Sequence, residues 1–463
     1  MKKGITKILS ACVFAFVVFL AAGTQSKAAV NMGVKQTGAG SSYVNLAWDA
    51  QLGAGHYHTQ FSQDGKNWID MDLSMLIQCI DILLFIIVLG TVLYLLVFAI
   101  AAMLGKPQKC PPATKYNRFL VLIPAYKEDF VIESTVRSFL RQTYPTSQYD
   151  TIVIADHCQP ETVERLKQYP VTVLTPNFEE SLKAKSLNYA IEYIAPRKYD
   201  VVVILDADNT VDPHFLHVIN DYYESGCIAI QAHRVAKTRN TETALLDAIF
   251  EEINNSIFRT GHVRLGFSSA LVGSGMAFDF EWFRQHVGSL ITAGEDKELE
   301  VLLMKQRIFV DFLDDLYVYD EKTQKEKTFH RQRRRWMAAQ FHTLFSNLPK
   351  LFPALVQRNY DLADKIIQWM LLPRIPMIGI ILIMSVMMLF VDLTSAIKWW
   401  CMFLIVLGTF AMCVPDELVN EDFDKAIRRA PLMAVKMVLN VFRLRGLKNK
   451  FLHTEHTITM VDK

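Results

Sequence analysis

Residues 82–104 carry no charged side chain across 23 positions, and that run limits what the chain can fold into more than any other feature. A helix rises about 1.5 Å per residue, so about 20 apolar residues cross a hydrocarbon core about 30 Å thick. The run predicts a transmembrane helix within residues 75–105. Lys106, Lys109, Lys115 and Arg118 follow it at once, whereas Asp70, Asp72 and Asp81 come before it. Basic residues are retained on the cytoplasmic side, which assigns the downstream chain to the cytoplasm and the upstream chain to the outside.

The upstream chain fits export. Lys2 and Lys3 precede an apolar run over residues 8–22, and Ser26-Lys27-Ala28-Ala29 ends it with small residues. Residues 1–29 are therefore expected to be a signal peptide or a first anchor. Residues 30–74 alternate apolar and polar positions, as in Tyr43-Val44-Asn45-Leu46-Ala47-Trp48, with glycines between. That alternation predicts a small extracytoplasmic β segment. With Tyr57 and the run from Ser62 to Trp68 it resembles part of a fibronectin type III module, covering about half of such a sandwich.

Composition adds three bounds. A mean hydropathy of +0.18 points to more than one membrane segment. A net charge of +2 leaves no global electrostatic footprint, so nucleic acid is not an expected partner. Seven scattered cysteines without a C-x-x-C pair indicate neither a zinc site nor a disulfide framework.

Residues 116–345 change character. Apolar runs at 119–123, 151–155, 171–174 and 201–205 alternate with helical patterns at 131–140, 161–168 and 181–193. Such alternation implies right-handed β-α-β crossovers and an α/β fold with a mostly parallel sheet. Ligands bind at the carboxyl ends of the strands in such sheets. Carboxylates gather at those ends. Glu128 follows the first strand in Pro124-Ala125-Tyr126-Lys127-Glu128, Asp156 follows the second, and Asp206 and Asp208 follow the fourth. An isolated Asp-x-Asp is usually a capped turn. Four carboxylates converging on one rim instead require a cation or a cationic ligand to offset their repulsion.

Residues 346–415 then read as interfacial helices and two transmembrane helices. Pro373, Arg374 and Pro376 interrupt the apolar stretch 366–391, so a span is expected from about Met377. A second span is expected over 399–414, with residues 392–398 as an extracytoplasmic hairpin. In the cytoplasmic tail, 416–463, residues 432–444 are amphipathic with lysines and arginines close by, as in a helix lying on an anionic leaflet.

Further polar groups lie downstream of the fourth strand. Taken in order, Pro124-Ala125-Tyr126-x-Glu128, Asp156, Lys185-Ser186-Leu187-Asn188, Asp206-Ala207-Asp208, Gly273-Ser274-Gly275, Glu295-Asp296 and Gln332-x-x-Arg335-Trp336 resemble the family-2 glycosyltransferases of GT-A fold. The resemblance is to the membrane-embedded synthase branch, with cellulose, hyaluronan and poly-N-acetylglucosamine synthases, and covers about residues 116–345. It implies a nucleotide-diphosphate sugar donor, most often UDP-linked, near Pro124, Tyr126, Glu128, Asp156 and Lys185. It implies Mg²⁺ or Mn²⁺ at Asp208, with Asp206 on the nucleotide or the metal, and Arg335 on the diphosphate, where a planar guanidinium bridges two oxygens. Asp296 matches the general base, Gly273, Gly275, Gln332 and Trp336 the acceptor side, and direct displacement inverts the anomeric centre. Arg333 and Arg334 lie outside the motif and read as a basic belt at the lipid surface.

The expected activity is thus extension of a β-linked polysaccharide at the inner cell membrane by a multi-pass protein with a cytoplasmic catalytic domain. Transfer of one sugar to a lipid acceptor, such as a polyprenyl phosphate or a glycolipid, is the close alternative. An exported adhesion protein with a degraded enzyme domain is a third. The donor sugar, the acceptor and the oligomeric state are not legible in the residues.

Overall fold

The computed structural model describes residues 34–40, 43–48, 58–61, 69–106, 110–194, 198–292, 294–322, 326–419 and 423–424, without the side chains of residues up to 76 and of 326–331, 334–336 and 338. The expected signal peptide or anchor over 1–29 and the amphipathic stretch 432–444 lie outside the described residues. The chain divides into two compact units. Of the described residues, one unit holds those from 34 to 93 with Ile380–Leu407; the other holds Tyr94–Gly379 with those from 408 on.

In the first unit, β1 (Val34–Gly40) pairs antiparallel with β2 (Tyr43–Trp48), and β3 (His58–Phe61) with β4 (Ile69–Asp72). Helix α1 (Leu73–Leu104) follows directly and runs on into the second unit. Asp81 on α1 is buried, at 2% exposure, and a carboxylate cannot stay charged there unpaired. Lys398 pairs with it, and the Trp399 indole Nε1–H donates to its Oδ1 at 2.6 Å.

The second unit is built on an eight-stranded sheet, and its composition explains why. β5 (Phe119–Tyr126), β6 (Tyr149–Asp156), β7 (Thr172–Leu174) and β8 (Val201–Ile204) are parallel neighbours in the order β7-β6-β5-β8. Helices α2 (Ile132–Phe139), α3 (Pro160–Leu166) and α4 (Lys183–Tyr193) connect them. All four residues of β8 are at most 1% exposed, because helices cover both faces of the sheet. Alternate residues of β5 and β8 feed two cores. Val121, Ile123 and Val203 enter one; Leu120, Leu122, Val202 and Ile204 enter the other.

The far half of the sheet is mixed. β9 (Thr210–Val211) is a two-residue edge strand, β10 (Ala229–Ala236) is parallel to β12 (Val310–Asp320), and β11 (Met276–Asp279) runs against both β8 and β10. That reversal matters for function. The amino end of β11 lies beside the carboxyl end of β8, Met276 opposite Ile204, so the loop Gly273-Ser274-Gly275 arrives at the rim where Asp206 and Asp208 emerge. Further helices of the domain include α5 (Phe215–Glu224), α6 (Glu242–Asn255), α7 (Phe280–His286) and α8 (Glu295–Lys305).

Beyond the sheet come α9 (Glu326–Asn347), α10 (Leu351–Val356), α11 (Tyr360–Met370), α12 (Arg374–Met388) and α13 (Leu393–Cys413). Among the described residues two helices are long and apolar enough to cross a membrane, 77–104 and 393–413. A third is possible if α11 and α12, bent by 56° at their break, count as one span. The break falls at Pro373, which fixes its own φ and disfavours helix in the residue before it. One boundary differs from the sequence reading. Residues 393–398 are the first turns of α13, not hairpin loop, because Asp392 accepts the backbone N–H of Ser395 at 2.7 Å and starts the helix early.

Candidate active site

Strands β5, β6 and β8 end side by side. Tyr126 lies opposite Asp156 across β5 and β6, and Leu122 opposite Ile204 across β5 and β8, so Asp156, Asp206 and the turn at Lys127 share one rim. Pro124 and Tyr126 close β5. Lys127 then takes a left-handed backbone, φ 57°, that lets its N–H donate to the Asp156 carbonyl at 3.1 Å. Glu128 follows, its carbonyl accepting the first N–H groups of α2. The Tyr126 ring meets His157 edge-on, 5.6 Å between centroids.

Asp156 is 1% exposed. Its Oδ1 lies 2.6 Å from His157 Nδ1, while its Oδ2 is buried without a hydrogen-bond partner. A buried carboxylate oxygen left unpaired costs free energy, and a ligand donor removes that cost.

Asp206 is arranged differently. Its side chain is 36% exposed and pairs with the Lys183 ammonium, which also donates to the Gly273 carbonyl at 2.6 Å and lies 3.8 Å from Glu295 Oε1. Burial alone would lower the Lys183 pKa, but Asp206 and Glu295 outweigh it and raise it, so this lysine stays charged. Burial pushes the Glu295 carboxyl up to about 7, against the pull of Lys183, with Asp296 adding to the rise.

Asp208 points inward, 7% exposed, accepting the Glu321 backbone N–H at 3.0 Å and the Asn209 amide at 3.2 Å. Asn209 in turn accepts the Asp206 backbone N–H at 2.9 Å and the Ser274 hydroxyl, which knots the Asp-Ala-Asp-Asn turn to the glycine loop. Gly273 and Gly275 both have positive φ, 84° and 64°. At Gly275 no side chain fits, because a Cβ would lie 2.8 Å from Val318 Cγ2.

Behind Asp208 the end of β12 carries buried charge. Asp320 is pushed up to about 6 by burial, although Lys322, at 2.8 Å, and Arg234, at 3.5 Å, both pull it down. Glu251 meets Arg234 at 3.0 Å; burial alone would raise its pKa, but Arg234, Lys322 and Arg259 hold it far below the ordinary carboxylate range.

Asp296 opens α8. Its Oδ1 accepts the Lys297 backbone N–H at 2.9 Å, and its Oδ2 lies 3.5 Å from the Lys297 ammonium. Gln332, half-buried, lies on α9 with Arg335 and Trp336, whose side chains are outside the described residues.

Two sequence expectations change. Lys185 is exposed and donates to the Glu180 carbonyl at 2.9 Å, away from the cluster; Lys183 occupies the position expected of it. Helix periodicity carries the signal. Lys183 falls on the stripe with Leu187, Ala190 and Ile191, all at most 4% exposed, whereas Lys185 falls on the outer stripe with Tyr189 and Glu192. Arg333 pairs with Asp247 on α6 and covers the Phe250 ring at 5.4 Å, so its charge is satisfied inside the protein, not at a lipid surface.

Two carboxylates one residue apart offer the hard oxygens that Mg²⁺ and Mn²⁺ prefer. Among the described residues no three metal-ligating side chains converge. A divalent cation therefore fits at Asp206 and Asp208 only if a bound diphosphate supplies further oxygens.

Residues 117–339 match the family described as glycosyltransferase like family 2. Over that segment the chain is similar to the family-2 glycosyltransferases. The probable glycosyltransferase YdaM of Bacillus subtilis (strain 168) is 22% identical over 247 residues, which is 50% of this chain. The match spans 57% of that relative's length. Among solved structures, the mannosyltransferase PcManGT of Pyrobaculum calidifontis, in complex with GDP-Man and Mn²⁺, is 17% identical and covers 72% of this chain and 96% of its own, with a TM-score of 0.46. S. aureus TarS in complex with UDP is 14% identical, with coverage of 48% and 64% and a TM-score of 0.31. The matched segment contains the rim carboxylates, Lys183, the glycine loop and Asp296.

Proposed function

We propose that the chain is a membrane glycosyltransferase that draws on a nucleotide-diphosphate sugar in the cytoplasm and extends a β-linked polysaccharide with inversion. The observation that carries this reading is the Lys183 ammonium seated among Asp206, Glu295 and the Gly273 carbonyl. It is a largely buried positive charge, held in place by three oxygens at the strand ends where a diphosphate would bring its negative charge.

The roles follow from chemistry. Asp156 Oδ2, buried and unpartnered, accepts a hydrogen bond from the base or ribose, with Pro124, Tyr126 and Glu128 lining that end. Lys183 takes the lysine role on the donor side. Asp208 and Asp206 would hold Mg²⁺ or Mn²⁺, which when bound neutralises the departing diphosphate. Arg335 adds a guanidinium to the same oxygens. Asp296 takes the acceptor hydroxyl proton while that oxygen bonds to the anomeric carbon and the bond from carbon to diphosphate breaks. Attack opposite the leaving group inverts the centre, so an α-linked donor yields a β-glycoside. Gly273 presents no side chain beside Lys183 on the acceptor side, the side to which the motif also assigns Gln332 and Trp336.

The polymer reading rests on the Gln332-x-x-Arg335-Trp336 motif. Transfer of one sugar to a lipid is favoured by the helix count, since two helices or at most three among the described residues can cross a membrane. Incubating membranes with radiolabelled nucleotide sugars separates the two: label in a high-molecular-weight, glycosidase-sensitive product is expected. Label confined to a singly modified, solvent-extractable lipid overturns polymer synthesis, and no transfer from any UDP- or GDP-sugar with Mn²⁺ overturns the donor class.

A further inference from the structure

Behind Asp296 the partly buried Lys297 meets the buried charges Glu300 and Lys365, a group that the reaction as derived does not use. Lys297 Nζ donates to the Leu271 carbonyl at 3.1 Å and to Glu300 Oε1 at 3.2 Å, and pairs with Asp296 Oδ2 at 3.5 Å. An ammonium has three donors and no acceptor; two are taken by these hydrogen bonds, and the ion pair directs the third toward Asp296. Glu300, 0% exposed, also accepts the Leu271 backbone N–H at 2.6 Å. Lys365 on α11, 1% exposed, lies 3.8 Å from the same Glu300 oxygen. Asp296, Lys297, Glu300 and Lys365 thus form a quartet of alternating sign and zero net charge.

The quartet joins three segments. Leu271 leads into Gly273-Ser274-Gly275, Asp296, Lys297 and Glu300 lie in the first two turns of α8, and Lys365 belongs to α11. Both backbone polar groups of Leu271 end on the Lys297–Glu300 pair. An ordinary surface ion pair contributes little and fixes nothing. A pair whose carboxylate is fully buried and that also takes up a backbone N–H and C=O fixes a distance, here between the glycine loop and the Asp296 carboxylate in the first turn of α8.

We propose that Lys297, held by Glu300 and Lys365, is a positioning residue that sets the Asp296 carboxylate against the acceptor bound at the glycine loop. This rests on Asp296 being the base. Lys297 touches neither donor nor acceptor; it acts through Asp296 and Leu271. Its loss spares donor binding, which depends on Asp156, Lys183 and Asp206, and slows the chemical step. An arginine, which keeps the charge, restores part of what methionine loses.

The test uses the full chain in detergent micelles, with transfer from UDP-glucose, UDP-N-acetylglucosamine and GDP-mannose scanned first and UDP or GDP binding measured by calorimetry with Mn²⁺. For Lys297→Met, kcat falls by about 30-fold while nucleoside-diphosphate affinity stays within about threefold, the signature of an interaction that matters in the transition state. Lys297→Arg recovers to within about fivefold of the parent, and Glu300→Gln loses about fivefold. An unchanged kcat in Lys297→Met, or affinity lost in parallel with kcat, overturns the proposal. If Lys297→Met does not fold, Glu300→Gln decides: unchanged kcat again overturns it. Asp296→Asn run alongside separates the two levels. Full activity there sinks the base assignment itself, whereas an inactive Asp296→Asn beside a fully active Lys297→Met sinks only the role of Lys297.

Discussion

Asp156 and Asp206 leave strands on either side of β5, at the same rim, and meet that rim in opposite electrostatic states. Asp156 is closed off from water and keeps one oxygen unpartnered beside His157. Asp206 is a third exposed and is met by a lysine that has two further acceptors. The first is built to gain a hydrogen bond when something binds; the second has its charge balanced beforehand. A nucleotide-diphosphate sugar needs both kinds of end, a neutral donor-rich base and a diphosphate that brings negative charge to a place already holding carboxylates. Lys183 makes the second end tolerable.

The largest effect should come from removing that lysine. Lys183→Met leaves Glu295 and Asp206 without their cation, and breaking a buried pair from one side costs about 3–5 kcal/mol, less here because Asp206 is partly solvated. Transfer should drop by about 100-fold or more, alongside a clear loss in thermal midpoint. Activity and melting both at parent level would mean that the two ends do not differ in the way described.

Asp156→Asn tests the other end. Because one oxygen of Asp156 is already unpaired, the amide should leave the melting temperature nearly unchanged or raise it, while the donor binds about tenfold more weakly, a change of about 1.4 kcal/mol. Titration of UDP or GDP in the presence of Mn²⁺ checks it. An unaltered affinity would remove Asp156 from the donor site.

A smaller, pH-dependent effect is expected at Glu295. Its folded pKa, about 7, lies above the 4.5 of an ordinary glutamate, so between those values the folded state binds more protons than the unfolded state. Stability therefore falls as pH rises through that window, and it is fully retained only below about 4.5. Glu295→Gln removes the dependence. Relative to the parent, the variant should gain stability between pH 5 and pH 8, by on the order of 1 kcal/mol in chemical denaturation. Parallel pH profiles for the two proteins would show that Glu295 ionises normally.

Much of this was legible before any coordinates. Val201-Val202-Val203-Ile204 could only be a strand covered on both faces, and Asp156, Asp206 and Asp208 were read as rim residues because strand ends are a local property of the sequence. The reversal of β11 was not legible, since direction within a sheet is decided by partners far away in the chain, yet that reversal brings Gly273 to Lys183. The motif spacing points to Lys185, two residues along the same helix from Lys183. Motif spacing alone does not say which face of a helix a residue occupies; the stripe of Leu187, Ala190 and Ile191 does. Arg333 was read as a lipid contact because its partner, Asp247, is 86 residues away.

The smallest expected effect sharpens that choice of lysine. Lys185 is exposed, and its ammonium donates only to the Glu180 carbonyl among the described contacts. A solvated hydrogen bond of that kind trades against water, so Lys185→Met should shift stability by no more than about 0.5 kcal/mol and leave transfer within about twofold. The pair of variants then reads as a single measurement of helix phase: Lys183→Met and Lys185→Met differ by one substitution moved two residues, about 200° around the helix. If Lys185→Met were the damaging one, the face of α4 that looks toward Asp206 would have been assigned the wrong way round, and the balanced end of the rim would lose its cation.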